Sequence, residues 1–164
     1  MRLLITGTPG TGKTSAAAAL SKLLKYPVLN EKAFALEHSL GQWDTESDEL
    51  VIPLEKLQRE LAKELGKRKN VIIEGHLLCE IKLPVDFVIL LRAHPELLEL
   101  RQQGQRYSEQ KIQDNVMCEG IDYCKKHALR NYAKEKLLEV QSQKTIKATT
   151  ALIIWGLKER GALL

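Results

Sequence analysis

Eight residues near the amino end, Gly7-Thr8-Pro9-Gly10-Thr11-Gly12-Lys13-Thr14, constrain this chain more than any other stretch. The apolar run Leu3-Leu4-Ile5 precedes them, and an alanine-rich segment, Ala16 to Ala19, follows. That order predicts a buried strand, a tight turn and a helix lying close on a sheet. The pattern is G-x-x-x-x-G-K-[ST], a phosphate-binding loop. Glycines let the backbone take angles closed to other residues. The loop can then turn its amides onto one anion, and the following helix N-terminus adds a partial positive charge. In this pattern Lys13 reaches the β- and γ-phosphates of a nucleotide and the Thr14 hydroxyl binds Mg²⁺. ATP and magnesium are the expected ligands. Gly7, Pro9, Gly10, Thr11, Gly12, Lys13, Thr14 and Ser15 are the expected nucleotide contacts.

At 164 residues the chain holds enough for one domain, 1–164, with a full core. Its net charge of +4 comes from 25 basic and 21 acidic residues. That bias is too mild to call for nucleic acid, though it suits phosphate-bearing ligands. Cys79, Cys118 and Cys124 fit no metal spacing. An odd number of cysteines without a signal peptide predicts inert thiols in a reducing, cytoplasmic compartment. Leu3 to Ile5 is too short for a signal sequence or a membrane span.

Strand and helix signals alternate along the chain. Arg2 to Thr6 reads as a strand, Gly12 to Lys25 as a helix and Tyr26 to Asn30 as a second strand. Glu31 to Leu40 reads as a helix with Ala33, Leu36 and Leu40 on one side. The polar, acidic stretch Gly41 to Glu49 reads as a loop, followed by a short extended segment, Leu50 to Ile52. Pro53 opens a helix to about Gly66 whose stripe is Leu54, Leu57, Leu61 and Leu65. Val71 to His76 and Asp86 to Leu91 are further strands, and Pro95 starts another helix. After a break at Gly104 to Tyr107, Ser108 opens a long helix expected to reach Gln141. Lys144 to Lys147 is the expected last strand, before a helix with Leu152, Ile153, Trp155 and Leu157. Such alternation predicts an α/β fold, a parallel sheet covered by helices on both faces. Ligands then sit at the carboxyl ends of the strands, where Gly7, Glu74, His76 and Arg92 all fall.

The strand Val71-Ile72-Ile73 delivers Glu74 beside the glycine loop. A carboxylate there can hold the water shell of Mg²⁺ or orient an attacking water. His76, two residues on, leaves the same face of an extended chain and can position the acceptor. Arg92, Arg101 and Arg106 form a basic set around the helix after the fourth strand. Guanidinium groups stabilise charge on a transferring phosphoryl group, and arginines beside a break suit a closing lid.

Three segments together resemble one family. The glycine loop is similar to that of small adenylate kinases. The acidic residue, one spacer and His76 at a strand end is a narrower feature. So is Arg106-Tyr107-Ser108-Glu109-Gln110-Lys111-Ile112-Gln113-Asp114-Asn115, with Cys118-Glu119 after it. Over nearly the whole chain these resemble the adenylate kinase isoenzyme six family, atypical nuclear-type kinases and ATPases. The resemblance implies a P-loop NTPase fold with a five-stranded parallel sheet. It also implies a nucleoside-monophosphate arm at 30–53 and a short lid at 104–114. It implies adenylate kinase activity, ATP hydrolysis, and a role in late small-subunit ribosome maturation. The implied partner is a platform ribosomal protein of the universal S-eleven family, with the pre-ribosome and only indirect rRNA contact. Residues matching Glu74 and His76 support catalysis in that family.

Two departures from the family pattern bear on the reaction. The arm helix usually carries an Ala-Arg pair whose arginine holds the AMP phosphate; here the pair is Ala33-Phe34. The lid usually reads Arg-Gly-Tyr; here it is Gln105-Arg106-Tyr107. The expectation is an ATP-hydrolysing assembly factor with slower transfer to AMP. Lys13, Glu74, His76, Arg101 and Arg106 are its catalytic set, and Thr14 and, through water, Glu74 hold the metal. Arg92 and Arg106 add nucleotide contacts. The alternative is a housekeeping nucleotide or metabolite kinase with no ribosomal role.

Overall fold

The architecture follows from where the apolar runs fall. The computed structural model describes residues 1–47 and 49–163. Four fully or nearly continuous apolar segments form strands β1 (Arg2–Thr6), β5 (Val71–Glu74), β6 (Phe87–Arg92) and β7 (Leu137–Gln141). A short strand, β2 (Val28–Asn30), completes a five-stranded parallel sheet in the order β2-β5-β1-β6-β7. Strand residues alternate between faces, so β1 divides its apolar side chains between two cores. Leu4, Ile73, Val88 and Leu90 pack with Phe34, Leu57, Leu61, Leu65 and Ala128. Leu3, Ile5, Ile72 and Ile89 pack with Ala16, Ala17, Leu20, Ile153 and Leu157.

Helices α1 (Lys13–Leu24) and α7 (Ile146–Glu159) therefore cover one face. Helices α2 (Glu31–Glu37), α3 (Leu54–Gly66) and α6 (Tyr123–Asn131) cover the other. Helices α4 (Pro95–Gly104) and α5 (Glu109–Gly120) pack together beside the carboxyl ends of the strands. Caps fix several of these starts. The Asn30 side chain accepts from Ala33 N, that of Ser108 from Lys111 N and that of Thr145 from Ala148 N. Pro95 sits in the first turn of α4, where its missing N–H costs nothing.

Four sequence expectations are corrected. Gly41 to Glu49 is not a plain loop. Antiparallel strands β3 (Gln42–Asp44) and β4 (Glu49–Val51) form a hairpin that, among the described residues, pairs only with itself. Asp48, within the expected acidic loop, lies outside the described residues. Helix α2 turns Glu31, Phe34 and Ala35 inward and leaves Ala33 and Leu36 exposed. The long helix from Ser108 stops at Gly120. Asp122 takes a left-handed conformation (φ 59°) and its carboxylate accepts from Arg92 Nη2; Asp tolerates that conformation better than most residues. Finally, the last strand is β7, not Lys144 to Lys147. Leu137, Leu138 and Val140 bury against the sheet, whereas the polar Lys144-Thr145 turn starts α7.

Candidate functional site

A cleft of about 820 Å³ opens at the carboxyl ends of the strands, between the glycine loop, the hairpin and α5. The loop runs from β1 into α1 beneath the end of β6. Gly7 holds φ +148°, and a Cβ there would lie 2.3 Å from the Leu91 carbonyl oxygen. Only glycine lets the chain pass. Thr8 and Thr11 are buried beneath the loop. Thr8 Oγ1 donates to Glu119 Oε2 at 2.6 Å, and Thr11 Oγ1 donates to Thr8 O at 2.8 Å.

Lys13 opens α1 and folds back into the loop. Its Nζ donates to Gly7 O at 2.9 Å and to Thr8 O at 3.0 Å. Burial pushes its pKa below the ordinary lysine value, because a desolvated ammonium is disfavoured. A polyphosphate oxygen would offset that cost better than two neutral carbonyls. Arg101 braces the same loop from α4. Nη1 donates to Gly10 O and to Ser142 Oγ, both at 3.1 Å, and Nη2 donates to Gln143 O at 3.0 Å. Partial burial lowers its pKa too. Gln102 is fully buried and links the loop to α5, donating to Pro9 O at 2.7 Å and accepting from Asn115 Nδ2 at 3.0 Å.

Opposite the lysine, Glu74 ends β5 and is buried. Its Oε1 accepts from Thr14 Oγ1 at 3.2 Å and from Asn30 Nδ2. His76 follows after Gly75 and is half exposed on the cleft wall, with Nδ1 3.1 Å from Glu31 Oε1. Thr14 and Glu74 form a small oxygen-donor set of the kind that suits Mg²⁺, which keeps most of its ligands as water and substrate phosphate. The cysteines carry a further feature. Cys124 lies on the cleft wall, 3.9 Å from Thr8 Oγ1. Hydrogen bonding from Cys79, aided by Thr8 and the nearby Lys13 charge, pulls its pKa down.

The structure thus brings Pro9, Gly10, Gly12, Lys13, Thr14, Ser15, Glu74, His76 and Arg101 to one cleft. It does not bring the other expected residues there. Gly7 and Thr11 shape the loop from beneath, and the Thr11 amide is spent on Thr8 O. Arg92, expected on the nucleotide, is a strut instead. Its guanidinium pairs with Glu119 and Asp122 at 2.6 Å and with Glu139 at 3.0 Å. Burial opposes its charge, but the bonds to Glu119 and Asp122 outweigh that and hold its proton more firmly than usual. Arg106 is exposed in a left-handed conformation (φ 58°) and is not among the residues lining the cleft, although its neighbours Gln105 and Tyr107 are. Sequence reading missed Glu31, Gln102, Ser142 and Gln143. Glu31 was findable, as a carboxylate at a strand's carboxyl end; the rest depend on how α4 and β7 dock.

With this geometry in place, likeness to known proteins decides the family. A family model described as an AAA domain matches residues 3–122. A Pyrococcus furiosus protein named "Putative adenylate kinase" is 36% identical over 165 residues, covering 98% of this chain and 88% of that protein. The chain belongs to the adenylate kinase-like family. A relative of the same name in Thermococcus onnurineus is 34% identical with the same coverage. Among solved structures, shikimate kinase from Aquifex aeolicus superposes with a TM-score of 0.65 at 16% identity, covering 98% of both chains. Deoxyadenosine kinase from M. mycoides gives 0.63 at 17% identity, covering 97% of this chain and all of that one. At those identities the two show the P-loop kinase fold alone. Within the family's architecture, then, the cleft lies where a ligand enters an open parallel sheet. Among the described residues no helix is long and apolar enough to cross a membrane.

Proposed function

We propose that this protein binds MgATP in the glycine loop and transfers the γ-phosphoryl group to a nucleoside monophosphate or to water. One observation carries the reading: buried Lys13 and the Thr14–Glu74 pair converge on the same loop. Lys13 and Arg101 neutralise the phosphates. Thr14 and, through water, Glu74 would hold magnesium, which would supply neutralisation of phosphate charge. His76 orients the acceptor oxygen. That oxygen bonds to phosphorus as the bond to the bridging oxygen breaks, and ADP leaves with the electron pair.

The names of the two archaeal relatives support AMP as an acceptor. Two features favour water. Phe34 stands buried where the wider pattern has an arginine. Among the described residues, Arg101 is the single arginine on the cleft wall, and it is tied to the donor loop. ADP formation from MgATP, measured with and without AMP, tests the split. Slow turnover without AMP, little raised by AMP, supports hydrolysis as the main activity. A several-fold rise with two ADP formed per ATP consumed supports the kinase.

The resemblance to the isoenzyme six family extends the proposal to late small-subunit maturation, through a platform ribosomal protein of the universal S-eleven family. The hairpin turn presents exposed Glu46 and half-exposed Asp44, an acidic edge suited to a basic tail, while Glu49 faces the cleft and pairs with Lys111. Reversing Asp44 and Glu46 to lysine should weaken capture of the purified ribosomal protein and spare ATP turnover. Undiminished capture removes the hairpin from the interface, and no capture by the native chain removes the partner.

A further inference from the structure

Two successive residues at the end of β2 clasp two alternate residues at the end of β5. Asn30 caps α2 with its Oδ1 and donates from Nδ2 to Glu74. Glu31, the next residue, is 2% exposed and turns its carboxylate back across the turn after β5. Its Oε1 accepts from His76 N at 3.1 Å, and its Oε2 accepts from Leu77 N at 3.1 Å. A carboxylate so buried is tolerated only with such bonds. The same Oε1 lies 3.1 Å from His76 Nδ1.

Gly75 leaves the room for this. A Cβ there would lie 2.0 Å from Glu31 Oε2, yet the Gly75 backbone is not in the left-handed region. Its missing side chain serves the carboxylate rather than an unusual backbone angle. The sequence Glu74-Gly75-His76 therefore encodes a carboxylate, a gap and an imidazole, and the gap is filled by the Glu31 carboxylate.

We propose that Glu31 is a positioning residue for His76, holding the ring proton on Nδ1 and leaving Nε2 as an acceptor toward the cleft. A carboxylate beside one imidazole nitrogen sets which nitrogen is protonated. His76 lines the cleft, so the free nitrogen is the one able to take a hydrogen bond from an acceptor hydroxyl or water. The tautomer stands on the geometry alone; the use made of Nε2 rests on the phosphoryl-transfer reading given above.

Nitrogen-15 spectra of the native chain, without nucleotide and above the pH at which the ring is neutral, should show His76 as the Nδ1–H form. In Glu31→Gln the preference should be lost, because the amide can donate as well as accept. An Nε2–H ring in the native chain, or an unchanged tautomer in E31Q, overturns the proposal. In steady-state kinetics E31Q should lower kcat by about ten- to a hundredfold, by analogy with partners that orient functional histidines. The KM for ATP should stay within about twofold. Adding His76→Ala to E31Q should cost little more, since residues acting as a unit are not additive. Two losses that multiply independently would contradict it. If E31Q does not fold, the native-chain spectrum decides. If the native chain turns over no ATP, the phosphoryl-transfer reading falls, and the spectrum still tests the clasp.

Discussion

The glycine loop and the β3–β4 hairpin face each other across one cleft and are built in opposite ways. Thr8, Thr11 and Lys13 are buried in the loop, and each has a protein partner for its polar side-chain atom. Gln102 and Arg101 brace the loop from α4, and Leu91 closes it from beneath. Among the described residues the hairpin's strands pair only with each other, and Trp43 and Val51 are more than half exposed. Among the described residues, three side-chain contacts tie it back: Leu50 packs half-buried against the core, Lys111 meets Glu49 at 2.6 Å, and Lys32 lies over the Trp43 ring at 5.5 Å. An exposed ion pair contributes about 0–1 kcal/mol and an exposed cation–π contact about 0.5–1 kcal/mol. A two-stranded hairpin is marginal by itself. Stabilising a transferring phosphoryl group calls for donors already in place, whereas an acceptor must enter and leave. One side of the cleft is fixed by burial and internal hydrogen bonds, and the other rests on one half-buried leucine and exposed surface contacts.

That contrast breaks most visibly if Lys13 can be dispensed with. Lys13→Ala should reduce ATP turnover by about a hundredfold or more, the usual scale for deleting a charge-stabilising group. Cooperative thermal unfolding should persist; normal hydrolysis by this variant would leave the loop without a function. The next largest effect is on stability. Gly7→Ala would drive a methyl into the Leu91 carbonyl at a backbone angle alanine resists. Denaturant unfolding should show a loss of about 3 kcal/mol or more.

Glu119→Gln tests the same rigid side from further away. It weakens a buried carboxylate that serves both Arg92 and Thr8. A loss of about 2–3 kcal/mol in urea unfolding is expected, the scale for unbalancing a buried charged pair. The opposite side should respond weakly. Glu49→Gln should change stability by less than about 1 kcal/mol. Its measurable effect should be on the KM for AMP, because the contact closing the cleft mouth is lost. A stability loss comparable to that of Glu119→Gln would erase the distinction between the two sides.

The rigid side was also the legible one. Its loop is a contiguous motif, and its strands are apolar runs of the kind a doubly covered sheet requires. The two cores follow from simple alternation in Leu3, Leu4 and Ile5. Sequence patterning failed where distant partners decide the outcome. Arg92 looked like a phosphate ligand because it ends a strand; its true partners, Glu119, Asp122 and Glu139, arrive from α5, the α5–α6 turn and β7. The α5–α6 break depends on Asp122 taking a left-handed angle within that same cluster. Once the break was missed, Leu137 to Val140 read as helix, and the last strand was placed too late. The hairpin escaped for a different reason. Its strands are three residues long and leave one face to solvent, so they carry too little apolar alternation to separate from a loop. Glu31 was legible as a carboxylate just past the end of β2, but its partners, the His76 and Leu77 amides at the end of β5, were not.

Amide hydrogen exchange with a nonhydrolysable ATP analogue and Mg²⁺ tests the central claim most directly. Nucleotide bound as described should slow exchange in the Gly7–Ser15 segment, with little change in the 42–51 hairpin until an acceptor is added. Unchanged exchange in the loop, or protection confined to the hairpin, would contradict the assignment of the loop as the polyphosphate cradle.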